Sequence, residues 1–299
     1  MHPFGDNEFV KLQAPMVRYS KIAFRELIRK YNTDICTTPM MLAKEFWRSK
    51  EARESDFCTT KYDSPLIVQF ASSNAEDLRL ATEMVLNYSQ GVDLNCGCPQ
   101  SWACKEGIGA HLSGEPELVA DMIKQLNAIC PSHYSKSIKI RLHNNMTITS
   151  ELMRRAEHMG IDFITVHGRT RSERTKVPVR TADIKLLNDM VAIPVLANGD
   201  IFTLQDAKDM VAATGCRGVS VARGLLVNPQ LFTGVQQPSW SCVQEYLNLS
   251  IRYQTHPFIL GHHLSYMMES LITSSDLRHF NALTSVPSMI DFIDSKIIG

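Results

Sequence analysis

The sequence predicts an α/β fold, a closed (β/α)8 TIM barrel followed by a small all-helical region. Three observations predict it. Eight short strand-type runs recur along the chain, most of them followed by a stretch with helical spacing. Several runs are continuously apolar or nearly so: LIVQF (66–70), FITV (163–166), IPVLA (193–197) and GVSVA (218–222). Such strands are buried on both faces, as in a parallel sheet covered by helices. Finally, the eight units occupy roughly 230 residues, which suits a closed barrel better than an open doubly wound sheet. No GxGxxG follows the first run, which weakens a dinucleotide-binding fold.

Taken in order, FVKLQAPM (9–16) is the first strand, and KIAFRELIRKY (21–31) has helical spacing behind it. TDICTTPMM (33–41) follows, then PLIVQF (65–70) after a charged stretch. Residues 74–89 read as a helix, with Asn74 as its cap and Glu76 and Asp77 at its positive end. GVDLNCGC (91–98) is the fourth strand, and residues 115–129 form the next helix. SKSIKIRL (135–142) precedes a helix near 150–159, which Gly160 stops as a left-handed cap. DFITVHGRT (162–170) leads to a helix capped by Thr181. IPVLANGDI (193–201) leads to one capped by Thr203 and ended by Gly215, and RGVSVARG (217–224) is the last strand. The texture changes near QQPSW (236–240), after which only helical spacing appears. The expected division is a catalytic barrel over 1–238 and a helical domain over 239–299.

Bulk properties narrow the function. The 299 residues carry 31 basic and 31 acidic side chains, which excludes a globally basic nucleic-acid binder but leaves room for local patches. Eight irregularly spaced cysteines argue for reduced thiols in an intracellular, cytoplasmic protein. The opening MHPFGDNEFV has no signal-peptide pattern, and no apolar run approaches the ~20 residues that span a bilayer. Nothing points to an obligate protein partner.

Function in a barrel sits at the C-terminal strand ends. Here those ends carry Pro15-Met16, Pro39-Met40, Gln69, Asn95 to Cys98, Lys139 with Arg141, His167, Asn198-Gly199-Asp200, and Ala222-Arg223-Gly224. Polar residues and glycines replace the apolar pattern at nearly every one. The last two ends suit a phosphate, because glycines let backbone N–H groups approach an anion and Arg223 adds a charged fork. Tight turns alone would also explain each glycine taken singly. Lys139, flanked by apolar residues, is costly to bury without a partner. His167 and Gln69 have structural readings as good as functional ones.

Cys96 and Cys98 sit one residue apart. Cys96, Cys98, Cys104 and His111 do not have the spacing of a usual metal site, and a disulfide between 96 and 98 would close a strained ring. Cys96 reads as a small buried residue. Pro99 biases Cys98 away from helical geometry, which holds its thiol on an extended turn where the strand exits.

APMV, VQF, DLNCGCPQ, KIR, VHGRTR, ANGDI and ARG, in this order and at these intervals, resemble the tRNA-dihydrouridine synthases. The resemblance spans about residues 9–299. It is strong over the barrel and weak in the tail, and it looks most like the fourth eukaryotic, "4-like", subgroup. It implies an FMN-bearing barrel, NADPH as transient reductant, and reduction of D-loop uridines of tRNA to 5,6-dihydrouridine. Hydride would pass from the flavin to C6 of uracil, and Cys98 would protonate C5. By the same resemblance Pro15, Met16, Val17, Gln69, Lys139 and His167 would line the flavin. Asn198, Gly199, Asp200, Ala222, Arg223 and Gly224 would hold its phosphate, and Asn95 would face the uracil. Trp102 and Lys105 fall in a segment peculiar to the subgroup and receive no role.

RTRSERTKVPVR (169–180) follows the sixth strand with five basic residues against one acid. Arg169 and Arg171 there are expected on tRNA phosphates, although a solvated loop has the same composition. Two other functions fit the pattern less well. A reductase of a free pyrimidine, like the dihydroorotate dehydrogenases, would not need the basic loop or the tail. A silent RNA-binding barrel would not need Cys98, Lys139 and His167 together.

Overall fold

The computed structural model describes residues 8–298; residues 1–7, most of the stretch read for a leader, and Gly299 lie outside them. Nine strands form one parallel sheet: β1 (Val10–Gln13), β2 (Cys36–Thr37), β3 (Met41–Leu42), β4 (Leu66–Ala71), β5 (Gly91–Cys96), β6 (Ser135–Leu142), β7 (Phe163–Thr170), β8 (Val195–Asn198) and β9 (Gly218–Val221). Eight of them run in the order β1-β9-β8-β7-β6-β5-β4-β2, and β3 hangs from β4. The ring closes between β1 and β2, where Leu12 bridges Ile35. The seam has three backbone bonds: Gln13 N to Ile35 O at 2.9 Å, Asp34 N to Lys11 O at 2.9 Å and Ile35 N to Lys11 O at 3.3 Å. The side chain of Gln13 takes over above them: its Oε1 accepts from Thr37 N at 3.0 Å. The expected second strand is two short pieces, because Pro39 has no N–H to give a ladder.

Ten helices surround or cap the barrel: α1 (Ile22–Arg29), α2 (Ala43–Arg48), α3 (Lys50–Asp56), α4 (Ala75–Glu83), α5 (Ser101–Lys105), α6 (Pro116–Ile129), α7 (Met146–His158), α8 (Thr181–Asn188), α9 (Leu204–Thr214) and α10 (Arg223–Val227). Asn74 caps α4 by accepting from Asp77 N, and Thr203 makes a reciprocal capping box with Asp206 on α9. Gly215 ends α9 in the left-handed region at φ +70°. Helix α7 starts at Met146 rather than near 150, because Asn145 supplies a cap. Thr181 is not a cap; it is the first residue of α8, and the cap position is Arg180.

Side chains inside the barrel follow the strand period of two. Val10, Leu12, Ile35, Ile67, Phe163 and Leu196 form a dry inner layer. Two residues further along, on the same face, the chemistry changes. Ile67 gives way to Gln69, Phe163 to Thr165 and then His167, and Leu196 to Asn198. The mouth of the barrel is therefore polar by register.

Beyond the barrel, α11 (Trp240–Arg252), α12 (Pro257–Met268), α13 (Ser274–Asn281) and α14 (Val286–Ile298) complete the described chain. Their core is continuous with that of the barrel: Phe24 and Leu27 of α1 share one buried cluster with Tyr246, Leu264 and Met267. No helix among the described residues is long and apolar enough to cross a membrane.

Three buried charged or titratable groups, Arg25, Asp63 and His263, fix the loop after β1. Asp63 accepts from Arg25 (Nε 3.0 Å, Nη2 2.7 Å) and from Arg29 (Nη2 3.0 Å). Arg25 also donates to Ser20 O at 2.6 Å, and Ser20 Oγ accepts from Met16 N at 2.8 Å. His263, on α12, bonds Tyr19 O through Nε2 at 3.2 Å, and no partner meets its buried Nδ1. Burial pushes its pKa down to about 3. The unfolded chain binds a proton near the ordinary histidine value of about 6.5 that the folded chain refuses. Stability is therefore expected to fall as pH drops below about 6.5, by up to about 1.4 kcal/mol per pH unit. Thermal melts from pH 7.5 to 5.5 should show this slope, and His263→Gln should reduce it, leaving the share of the second buried imidazole, His167.

Candidate active site

Strand register assembles the site. Gln69 pairs with Asp93 across β4 and β5, and Asn95 with Lys139 across β5 and β6. Arg141, His167, Asn198 and Ser220 continue the hoop across β6 to β9. The side chains then bond along it. Gln69 Nε2 donates to Asp93 at 2.7 Å, and Asn95 Nδ2 donates to Gln69 Oε1 at 2.9 Å. Lys139 Nζ donates to Asn198 Oδ1 at 3.1 Å, and Asn198 Nδ2 to Ser220 O at 2.5 Å.

Cys98 stands on a turn fixed from three sides. Asn95 Oδ1 accepts from Gly97 N at 3.1 Å and from Cys98 N at 2.8 Å. Arg141 Nε donates to Gly97 O at 3.0 Å, and Ala110 N donates to Cys98 O at 2.9 Å. Gly109, at φ +66°, lies so close that a Cβ there would sit 2.8 Å from the Cβ of Cys98. Cys98 is half-buried, whereas Cys96 is fully buried and burial raises its thiol pKa well above the ordinary value. Of the two cysteines, only Cys98 remains partly accessible. Trp102 and Lys105 lie on α5, both exposed.

The ends of β8 and β9 enclose a cavity of about 60 Å³, lined by His167, Gly199, Asp200, Ser220, Arg223 and Gly224 among others. The glycines are required there. A Cβ on Gly199 would meet Val179 at 2.6 Å, and one on Gly224 would meet Ile201 O at 2.2 Å. Ser220 Oγ is buried with no partner. Burial drives the His167 pKa far below its ordinary value, and Lys139, Arg141, Arg169 and Arg223 add to the effect in that order. The imidazole is thus neutral, and it reports a positive field from four cations. A narrow cradle with an orphan hydroxyl inside such a field fits a phosphate group.

Beside the cradle, burial and then Arg141 lower the Lys139 pKa to about 8, against the pull of Asp93. Asp93 itself is raised to about 6 by burial, although Gln69 and Ser137 bond its carboxylate. Pro15 and Met16 lie half-buried in the loop after β1, and Val17 is 52% exposed.

Two expectations change, and a third residue gains a role. Arg169 is 2% exposed rather than on a solvated loop. It pairs with Asp200 and donates to Val177 O at 2.5 Å, so its guanidinium has no tRNA phosphate to meet. Asp200 likewise does not face a phosphate with its carboxylate, which accepts from Arg169, from Val179 N at 3.2 Å, and from Arg223 at 3.5 Å. It orients the arginines instead. Asn95 spends most of its amide on Gln69 and the Cys98 turn, which makes it a brace for that turn. Arg171, by contrast, is exposed. It lines a cavity of about 680 Å³ with Pro99, His111, Arg141, His143 and Arg174.

Sequence reasoning gave no role to Arg141, Asp93, Ser220 or Gly109. The first two share a strand face with Lys139 and Asn95, so the period of two was a usable signal. Gly109 had none, because its role is a contact with a residue eleven positions away.

Residues 12–285 match the dihydrouridine synthase (Dus) family. A mouse protein named tRNA-dihydrouridine(20a/20b) synthase [NAD(P)+]-like is 47% identical over 292 residues, covering 97% of this chain and 90% of its own length. The human protein of the same name is 46% identical over 291 residues, covering 97% and 92%. Among solved structures, a morphinone reductase variant superposes with a TM-score of 0.53 at 8% identity over 74% of this chain and 85% of its own, a likeness of fold alone. The strand-end residues thus stand in a chain whose length and order of motifs are those of one group, and the protein belongs to the dihydrouridine synthase family.

Proposed function

We propose that the protein reduces uridines of tRNA to 5,6-dihydrouridine, with FMN as its bound cofactor and NADPH as reductant. The observation that carries the reading is Cys98, braced at a polar barrel mouth that also holds a phosphate cradle. Gly199, Ser220, Ala222, Arg223 and Gly224 would hold the FMN phosphate, with Asn198 and His167 beside them. Pro15, Met16, Val17, Gln69 and Lys139 would meet its ring system. FMN, when bound, supplies the hydride for C6 of uracil. Cys98 gives the S–H proton to C5, and the half-exposed sulfur regains a proton from water. Lys139 places positive charge at the mouth, where it stabilises negative charge that develops on the ring or the pyrimidine. The base must leave its stack to reach this depth. Arg171 and Arg174 would take backbone phosphates along the adjacent cavity. The helical region 239–299 would take another part of the tRNA, and the protein would act in the cytoplasm.

The test is an unmodified tRNA transcript incubated with the purified protein, FMN and NADPH, followed by mapping of dihydrouridine. Site-specific dihydrouridine in the D-loop is expected, with NADPH consumed in proportion. Reduction of free uracil or orotate with none in tRNA would replace this reading by the free-pyrimidine one.

A further inference from the structure

A second large cavity, about 710 Å³, lies in the helical region between α12 and the segment from α13 to α14. That size is within the range of small-molecule sites. Its walls combine aromatic faces and neutral polar groups: Phe258, His262, Ser265, Tyr266, Asn281 and Thr284. Not one aspartate or glutamate lines it. Phe258 and His262 have ring centroids 4.1 Å apart, and both side chains are exposed. His262 continues to Tyr19, whose ring stacks on it at 6.3 Å and whose hydroxyl lies 3.0 Å from its Nδ1. Tyr19 in turn meets Tyr266 edge-on at 6.0 Å. Tyr19 N donates to Met16 O at 3.1 Å, so His262 and Tyr266 of this cavity pack against the loop of the barrel mouth.

We propose that this pocket takes an unpaired nucleobase of the tRNA other than the target uridine, and so sets how the tRNA sits on the mouth. The inference rests on the tRNA reading above. Three features choose the occupant. Exposed, preformed aromatic and imidazole faces are what a splayed-out base stacks on. The Asn281 amide and the Ser265 and Thr284 hydroxyls can each give and accept hydrogen bonds, as base edges require. The absence of acids removes repulsion of the flanking phosphates, while the contact of His262 with Tyr19 links the pocket to the loop at the barrel mouth. The sparse basic residues of this region agree with recognition by stacking rather than by charge.

The holoenzyme variant Phe258→Ala tests it. Phe258 is 51% exposed, so the fold does not depend on it. About 5- to 100-fold weaker tRNA binding is expected. Phe258→Tyr should restore most of it, and NADPH consumption without tRNA should not change in either variant. Transcripts made abasic at one unpaired position at a time should include one that binds wild type weakly and Phe258→Ala no more weakly than the intact transcript does. Wild-type affinity in Phe258→Ala overturns the pocket assignment while leaving the tRNA activity standing. Failure of the wild-type protein itself to bind and modify tRNA overturns both.

Discussion

Cys98→Ala is expected to lower dihydrouridine formation in tRNA about 10²- to 10⁴-fold, the usual contribution of a positioned general acid. Reduction of bound FMN by NADPH, followed by loss of its yellow absorbance, should proceed at the wild-type rate, because Cys98 acts only on the pyrimidine. Cys98→Ser should fall between the two, since a hydroxyl gives up its proton less readily than a thiol. The geometry makes the effect large. Asn95, Arg141 and Ala110 hold the backbone of the turn, and Gly109 leaves no room for it to shift. No other cysteine stands on that turn with partial access to solvent. A Cys98→Ala protein that modifies tRNA at the wild-type rate would remove the thiol from the mechanism.

Asp63→Ala is expected to destabilise the protein by about 3–5 kcal/mol, because it strands a buried guanidinium. Arg25 is 1% exposed, and Asp63 pairs with both it and Arg29. The midpoint of thermal unfolding should drop by roughly 6–20 °C for a chain of this size. Arg25→Met combined with Asp63→Leu should recover part of the loss, since the cost comes from the unpaired charge rather than from the missing bond. The single variant should also bind FMN less well. Arg25 holds Ser20, and Ser20 holds Met16, so the loop proposed to line the cofactor loosens with the pair. Unchanged melting in Asp63→Ala would mean that the cluster is solvated in solution.

Much of this was legible beforehand because barrels are periodic. Continuously apolar strands separated by helices announced the closed sheet, and the polar breaks at their C-terminal ends put Gln69, Lys139, His167 and Asn198 at one rim. Pro99 announced the turn at Cys98. Long-range pairing was not legible. Arg169 stood in a run of exposed arginines and lysines, and only Asp200, brought beside it by the return of the chain through α8, explains why it turns inward. Its position two residues after His167 was the local clue, and composition overrode it. The bracing role of Asn95 was hidden for a similar reason: an amide that braces its own turn looks in sequence like one offered to a ligand. The ion pair of Arg25 with Asp63 spans 38 residues and left no mark on either local stretch.

The hoop of strands is fastened by a clasp rather than a weld. Between β1 and β2 three main-chain links are prolonged by the Gln13 amide and the Thr37 hydroxyl, whereas the opposite wall is laced along whole strands. The cylinder therefore has a preferred place to breathe, and it lies directly beneath the loop of Pro15 and Met16. Slow isotope exchange around the circumference should quicken first at that join, and any occupant that engages the loop would double as a latch for the whole wall.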